Sequence, residues 1–425
     1  MASTTLTPPA SGTATPTTSS LTDAGISHAV KKAPLEASRL QISLTTSPRD
    51  VPEPGNEELR AMRTCTDHMI TCKWTVTDGW EAPQLIPYGP LSLMPTASCL
   101  HYATECFEGL KLYRGYDGKL RLFRVGRNAA RMRKSANRIS LPDFEPAELE
   151  KLIKKLCAID GDKWLPKSRA GSFLYLRPTF IGTDPGLGVQ VPKEALLYIM
   201  IACFPDWSDP RNLPPAPYVN PDLSETVRNA KGLKLLASNE DMIRAWPGGF
   251  GFAKLGANYG PSLVAQGEAR LKGYDQILWL FGPDADVTEA GASNFFIVWK
   301  SKGEGKLQLV TAPLEDQIIL EGVTRASVLD LARERLGSEV EVVERKFTMS
   351  EVVDAVNEGR TVEAFAAGTA FFVAPVGLIG YKTQELRIPL AEGTTGVYAK
   401  KIKGWLSDIM FGQESHEWGV VVDEE

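Results

Sequence analysis

Six prolines fall at 205, 210, 214, 215, 217 and 221. Neither a helix interior nor a central strand accepts prolines at that density, because each removes a backbone donor and fixes φ. The segment 204–221 therefore reads as an extended interdomain linker. It cuts a chain of 425 residues into two stretches, each long enough to bury its own core. The expectation is a smaller N-terminal domain over 34–203 and a larger C-terminal domain over 222–425. Residues 1–33, rich in Ser, Thr, Ala and Pro without apolar periodicity, read as a disordered extension.

Both stretches mix strand and helix signals, which makes the fold class α/β in the broad sense, an α+β two-domain chain. Leu112–Arg114 and Leu120–Phe123 flank Gly115-Tyr116-Asp117-Gly118, a hairpin signal. Leu149, Leu152, Ile153 and Leu156 recur at helical spacing with charges between them. Phe173–Ile181 and Ala195–Ala202 read as buried strands, as does Val362–Ala366 in the second stretch. Pro261 is placed to open a helix, with Leu263, Val264, Gly267 and Leu271 on one side and Gly273 as its stop.

Composition narrows the function. A net charge of −5 argues against nucleic acid or an anionic membrane as partner. The longest strongly apolar run, Leu196–Phe204, is too short to span a bilayer. The cysteines at 65, 72, 99, 106, 157 and 203 form no C-x-x-C pair and no zinc-ligand spacing, so free thiols in a reducing compartment are expected. The four histidines do not cluster, and no metal site is expected. Residues 1–30 contain no Lys or Arg. That favours the cytoplasm over the alternative, a mitochondrial matrix enzyme with a cationic presequence.

Chemistry concentrates in Gly251-Phe252-Ala253-Lys254-Leu255-Gly256-Ala257-Asn258-Tyr259-Gly260-Pro261. Lys254 is the one charge between Gly248 and Ser262. Most lysines are solvated on the surface. This one sits among small and apolar residues, where the neutral amine is easier to reach. Glu289 follows in Thr288-Glu289-Ala290-Gly291-Ala292, a carboxylate among small residues that leave room for a flat ring. It is otherwise a strand-end carboxylate. A lysine in a glycine-lined pocket with a carboxylate partner suits pyridoxal phosphate. The amine forms a Schiff base with the cofactor aldehyde, and the carboxylate keeps the ring nitrogen protonated. Tyr259 is either a core aromatic or a phenol that bonds the cofactor.

Anion-binding candidates accompany this pair. A helix starting after Leu320-Glu321-Gly322-Val323-Thr324 offers free N–H groups and a threonine hydroxyl, although many capped helices look alike. Ala367-Gly368-Thr369-Ala370 follows a strand and aims N–H groups at a phosphate or carboxylate, or is an ordinary turn. Arg124, Arg127, Arg131 and Arg138 recur at helical spacing. They form a solvated basic face unless one of them, such as Arg131, turns inward. Phe173, Tyr175 and Arg177 alternate, so they share one strand face. A buried arginine there requires an anion, either an internal carboxylate or a substrate.

Together these segments resemble the branched-chain amino acid aminotransferases, of the fold type IV pyridoxal phosphate enzymes, in their eukaryotic and particularly fungal form. The resemblance runs from Ala37-Ser38-Arg39-Leu40-Gln41-Ile42 through Asp67-His68-Met69, Leu100-His101-Tyr102 and Phe107-Glu108-Gly109-Leu110-Lys111. It continues through Leu174-Tyr175-Leu176-Arg177-Pro178 and Arg244-Ala245-Trp246-Pro247-Gly248-Gly249 to Trp418. It implies that Lys254 is the Schiff-base lysine and proton shuttle, that Tyr259 bonds the cofactor phenolate, and that Glu289 pairs with the ring nitrogen. It implies a phosphate cradle of Arg131, Val323, Thr324 and Thr369. It implies a substrate pocket of Tyr102, Phe107, Tyr175, Arg177, Thr369 and Ala370, with Arg177 meeting the distal carboxylate of glutamate. The implied reaction moves the amino group of L-leucine, L-isoleucine or L-valine to 2-oxoglutarate. The implied assembly is a homodimer with the Tyr102 loops near the partner's site.

Two positions depart from the family. Phe371 and Ala374 stand where animal members carry a redox C-x-x-C, so no thiol switch of that kind is expected. Asp78 replaces an aromatic that lines the pocket in some relatives. Three rival readings remain. A D-amino acid aminotransferase or aminodeoxychorismate lyase shares the fold, but the Leu-His-Tyr and Tyr-x-Arg-Pro segments count against it. A nucleotide-binding dehydrogenase would use Gly249 and Gly251, but Lys254 occupies the third glycine position. A catalytically dead binding protein does not fit an intact Lys254, Tyr259 and Glu289.

Overall fold

Two extended sheets account for most of the chain in the computed structural model, which describes residues 32–53, 55–205, 223–370 and 372–424. Nearly all of the N-terminal extension over 1–33 and of the linker over 204–221 lies outside those residues. From Ala33 onward the chain forms one compact unit.

The first sheet runs in the order Gln41–Ile42, Gln84–Pro87, Cys65–Thr75, Glu194–Ala202, Phe173–Gly182, Leu110–Arg114, Leu120–Phe123 and Gly419–Val422. Its hairpin has the expected register, with Leu112 opposite Leu122, and Gly118 supplies the positive φ (+78°) that the turn needs. Two helices, Val125–Arg138 and Pro146–Trp164, cover this sheet. Leu149, Leu152, Ile153 and Leu156 lie in its core with Ala129 and Met132. The last strand departs from a simple split at the linker: Val420 pairs with Leu122, so the chain's end returns to the first sheet.

The second sheet runs Asp286–Ala290, Gln276–Phe281, Leu233–Ala237, Phe372–Tyr381, Thr361–Gly368, Ser293–Lys300, Leu307–Thr311 and Glu341–Glu344. Asp286–Ala290 also pairs with Ser293–Lys300, which closes the strands between them on themselves. Leu235, Leu278, Phe295, Ile297, Ala364 and Val376 form one of its cores. The helices Val323–Leu336 and Val397–Met410 pack with Phe296, Val298 and Phe365 in another. The second of these helices is capped by buried Glu363, whose carboxylate accepts from the Tyr398 and Ala399 N–H groups.

The helix Ser262–Leu271 forms where Pro261 and Gly273 bracket it, but it faces the other way from the expected stripe. Leu263, Val264 and Leu271 are exposed, and Ala265 and Ala269 point inward against Val227, Tyr274 and Ile277. The small residues let the helix approach closely, and close packing on that side outweighs burying the larger ones. Among the described residues no helix is long and apolar enough to cross a membrane.

Candidate active site

The lysine loop is held from three directions. Asn258 is buried and donates its side-chain amide to the Phe250 and Ala253 carbonyls, which fixes the loop's curvature. Gly251 faces the Ile318 carbonyl so closely that a Cβ would collide with it. Lys254 itself has both main-chain groups occupied. Its N–H donates to Ser135 Oγ at 2.8 Å, and its carbonyl accepts from the Phe107 N–H at 3.1 Å. The half-buried side chain then turns to Tyr259, with Nζ 3.1 Å from Oη and 4.9 Å from the centre of the Phe107 ring.

Glu289 is placed on the strand Asp286–Ala290 and is almost wholly buried (2% exposed). Its Oε1 accepts from Asn294 Nδ2 and the Leu320 N–H, both at 3.2 Å. Arg244 Nη1 lies 2.8 Å from Oε2, but Oε2 accepts no properly directed hydrogen bond. Burial pushes the Glu289 carboxyl up, and the charges of Arg244 and Lys254 pull it part of the way back. A buried carboxylate oxygen left in this state needs a donor.

Arg131 turns inward from the helix Val125–Arg138, against the expectation of a solvated face. Glu108 clasps it through Nε and Nη2, both at 2.7 Å, and Nη1 donates to the Glu321 carbonyl at 3.0 Å. Burial disfavours its charge, but Glu108 more than restores it and holds Arg131 firmly cationic. Three of its five N–H groups are thereby used, which leaves two for an anion. The bond to Glu321 sets Arg131 beside the start of the helix Val323–Leu336, where Val323 and Thr324 are buried in the first turn. Gly322 caps that helix, and a Cβ there would strike the Asn294 amide oxygen. Helix-end N–H groups next to a half-free guanidinium form an anion site.

At the opposite side, the strand Phe173–Gly182 presents Tyr175 and Arg177 on one face, as its alternation predicts. Arg177 Nη2 donates to Tyr175 Oη at 3.2 Å, and its guanidinium lies 4.7 Å from the Phe107 ring centre. Its buried Nε has no hydrogen-bond partner, and no described carboxylate pairs with it. The Tyr175 hydroxyl sits where a Cβ on Gly109 would be. Thr369 and Ala370 form the turn beyond Thr361–Gly368, tied down by Thr369 Oγ1 on the Gly109 carbonyl and by Lys111 Nζ on the Ala370 carbonyl.

Residues 105–379 match the amino-transferase class IV family. The cytosolic branched-chain-amino-acid aminotransferase of Saccharomyces cerevisiae is 46% identical over 92% of this chain and 99% of its own. The mitochondrial enzyme of the same yeast is 45% identical over 92% of this chain and 94% of its own. Among solved structures, the branched-chain aminotransferase of the thermophilic archaeon Thermoproteus uzoniensis with norvaline superposes with a TM-score of 0.61. It is 25% identical and covers 83% of this chain and 99% of its own. A bacterial-type relative complexed with N-(5'-phosphopyridoxyl)-L-glutamate, the T.th. branched-chain amino acid aminotransferase, superposes with a TM-score of 0.59. It is 26% identical and covers 83% of this chain and 98% of its own. The chain belongs to the branched-chain-amino-acid aminotransferases of class IV.

The fold is that of type IV aminotransferases. In this class IV aminotransferase the expected residues Lys254, Tyr259, Glu289, Arg131, Phe107, Tyr175 and Arg177 are linked through the contacts above. Tyr102 stands apart. It lies at the end of the short helix Ser98–Tyr102, is exposed, and gives its hydroxyl to the Leu187 carbonyl. Asp78 is exposed in a turn, where the Thr75 and Thr77 hydroxyls donate to it and hold its carboxyl below the usual range. All six cysteines are free thiols. Among the described residues no cluster of His, Cys, Asp or Glu is placed to hold a metal.

Sequence reasoning missed Glu108, Ser135, Arg244 and Asn294 as working parts. Glu108 and Arg244 lay inside quoted motifs, but nothing in their residue type says which partner they meet. Glu108 is 23 residues from Arg131 and on a different element.

Proposed function

We propose that this protein transfers the amino group of L-leucine, L-isoleucine or L-valine to 2-oxoglutarate, giving the branched 2-oxo acid and L-glutamate. The observation that carries the reading is the trio of Lys254, Tyr259 and Glu289, an amine on a phenol with a buried carboxylate oxygen awaiting a donor. The relatives' names and the phosphopyridoxyl-glutamate complex of the T.th. enzyme support it.

Pyridoxal phosphate fits these residues. The unpaired Glu289 Oε2 matches a protonated ring nitrogen, and the two spare N–H groups of Arg131 with Val323 and Thr324 match a phosphate. Thr369 completes the cradle. When bound, the cofactor supplies an aldehyde for the amines and a ring that accepts the electron pair left at Cα. The rest falls to the chain. Lys254 Nζ removes the substrate Cα proton and returns it on the other side of the exchange. Tyr259 Oη holds Nζ in its working position and bonds the cofactor oxygen. Buried Glu289 stays ionised with help from Arg244.

Substrate selection rests on Arg177. N–H groups of Thr369 and Ala370 with Tyr175 take the α-carboxylate, and Arg177 takes the distal carboxylate of glutamate. Phe107 and Tyr175, whose rings flank the guanidinium, receive an aliphatic side chain when no second carboxylate is present.

For assembly we infer a homodimer. Met94, Leu100 and Tyr102 are exposed, as are Leu187, Val189 and Val191 in the loop that Tyr102 bonds. Apolar exposure on that scale marks a covered face, and a second copy there sets Tyr102 near its partner's site. The cytosol is the compartment that an N-terminal segment without Lys or Arg favours, since the two yeast relatives match almost equally. The test is a coupled assay. L-leucine with 2-oxoglutarate yields L-glutamate, and D-alanine yields none. Turnover of D-alanine alone would sink the substrate assignment.

A further inference from the structure

A closed circuit of contacts joins the amine end of the site to its anion end. Starting at Lys254, the backbone N–H donates to Ser135 Oγ at 2.8 Å. Ser135 Oγ donates in turn to the Arg131 carbonyl at 2.9 Å, one turn back along the same helix. The Arg131 side chain is clasped by Glu108. Glu108 follows Phe107, whose N–H returns to the Lys254 carbonyl at 3.1 Å. Ser135 is fully buried, and its hydroxyl gives its proton to one site residue and a lone pair to the other.

The rest of the loop has its own anchors. Asn258 holds Phe250 and Ala253, and Arg138 reaches the Gly248 and Gly249 carbonyls. None of these touches the Lys254 main chain. Removing the Ser135 hydroxyl therefore leaves the loop in place and frees one end of the Lys254 peptide. A long side chain magnifies such freedom, and a misplacement of roughly 1 Å can reduce a rate about 10²-fold.

We infer that Ser135 is a positioning residue that keeps the Lys254 amine in register with the Arg131 anion site, an inference that rests on the cofactor reading above. Through this link, an anion seated at Arg131 aims the attached aldehyde at Nζ. Pyridoxal phosphate gains from the link, and pyridoxal, which lacks the phosphate, gains nothing.

The experiment compares dissociation constants of cofactor-free wild type and Ser135→Ala for pyridoxal phosphate and for pyridoxal. Binding is followed by tryptophan fluorescence and checked by mass after borohydride trapping on Lys254. The expected result is that the advantage of the phosphate form falls about five- to tenfold in Ser135→Ala, the scale of one hydrogen bond. An unchanged ratio, with both affinities falling together or neither moving, overturns the inference and leaves Ser135 a structural residue. Should Ser135→Ala fail to fold, Ser135→Cys keeps the volume with a far weaker hydrogen bond, and the same ratio decides. If the wild type itself shows no preference for pyridoxal phosphate, the cofactor reading falls and takes this inference with it.

Discussion

Two arginines face the same site, and they are treated in opposite ways. Arg131 has a carboxylate of its own, Glu108, a carbonyl at Glu321, and two N–H groups left over. Arg177 has a tyrosine hydroxyl, two aromatic rings and an unpaired Nε. A guanidinium that serves a resident anion gains from being neutralised and fixed in advance, because the cost of orienting it is then met on folding. A guanidinium that must serve glutamate in one half of the cycle and tolerate leucine in the other cannot carry an internal carboxylate. Aromatic faces give it modest cation–π support and an apolar surface for the substrate that lacks a second charge.

The comparison predicts effects of different size and kind. Replacing the shared element, Lys254→Ala, removes both half-reactions, and turnover of leucine falls by at least about 10⁴-fold. Residual turnover above that level, measured by glutamate release, breaks the assignment. Glu108→Gln frees a charge from a buried pair and weakens cofactor binding roughly 10²-fold, measured by dialysis and fluorescence. It acts equally on leucine and glutamate turnover once cofactor is saturating. Arg177→Gln behaves differently. The KM for glutamate and for 2-oxoglutarate rises about 10- to 10²-fold, and that for leucine moves less than about threefold. Equal losses on both substrates would erase the distinction between the two arginines.

A smaller effect belongs to pH. Glu289 is raised by burial and pulled back by Arg244. Its ionised form, needed to pair with a protonated ring nitrogen, prevails above its pKa. Arg244→Met removes the opposing charge, so the pKa rises further and cofactor retention fails at a higher pH than in wild type. Retention followed by absorbance as the pH is lowered from neutrality reads the displacement. No displacement, or one to lower pH, contradicts the role given to Arg244.

What the sequence made legible follows from range. Lys254 and Tyr259 are five residues apart, and a tight loop brings them into contact. Tyr175 and Arg177 share a face because strands alternate with period two. The clasp of Arg131 by Glu108 joins separate elements and carries no periodic signature. The outward face of Ser262–Leu271 was misread because apolar spacing records amphipathicity and not which side can approach more closely. The return of Gly419–Val422 to the first sheet likewise depends on Arg121 and Leu122 being free on an edge, which only the pairing reveals.

The measurement that bears most directly on the account is the visible spectrum of purified protein titrated with L-leucine in the absence of any acceptor. The account predicts a cofactor band that L-leucine and L-glutamate both discharge in one equivalent and that 2-oxoglutarate restores. A band that L-leucine leaves untouched, or no band after incubation with pyridoxal phosphate, contradicts it.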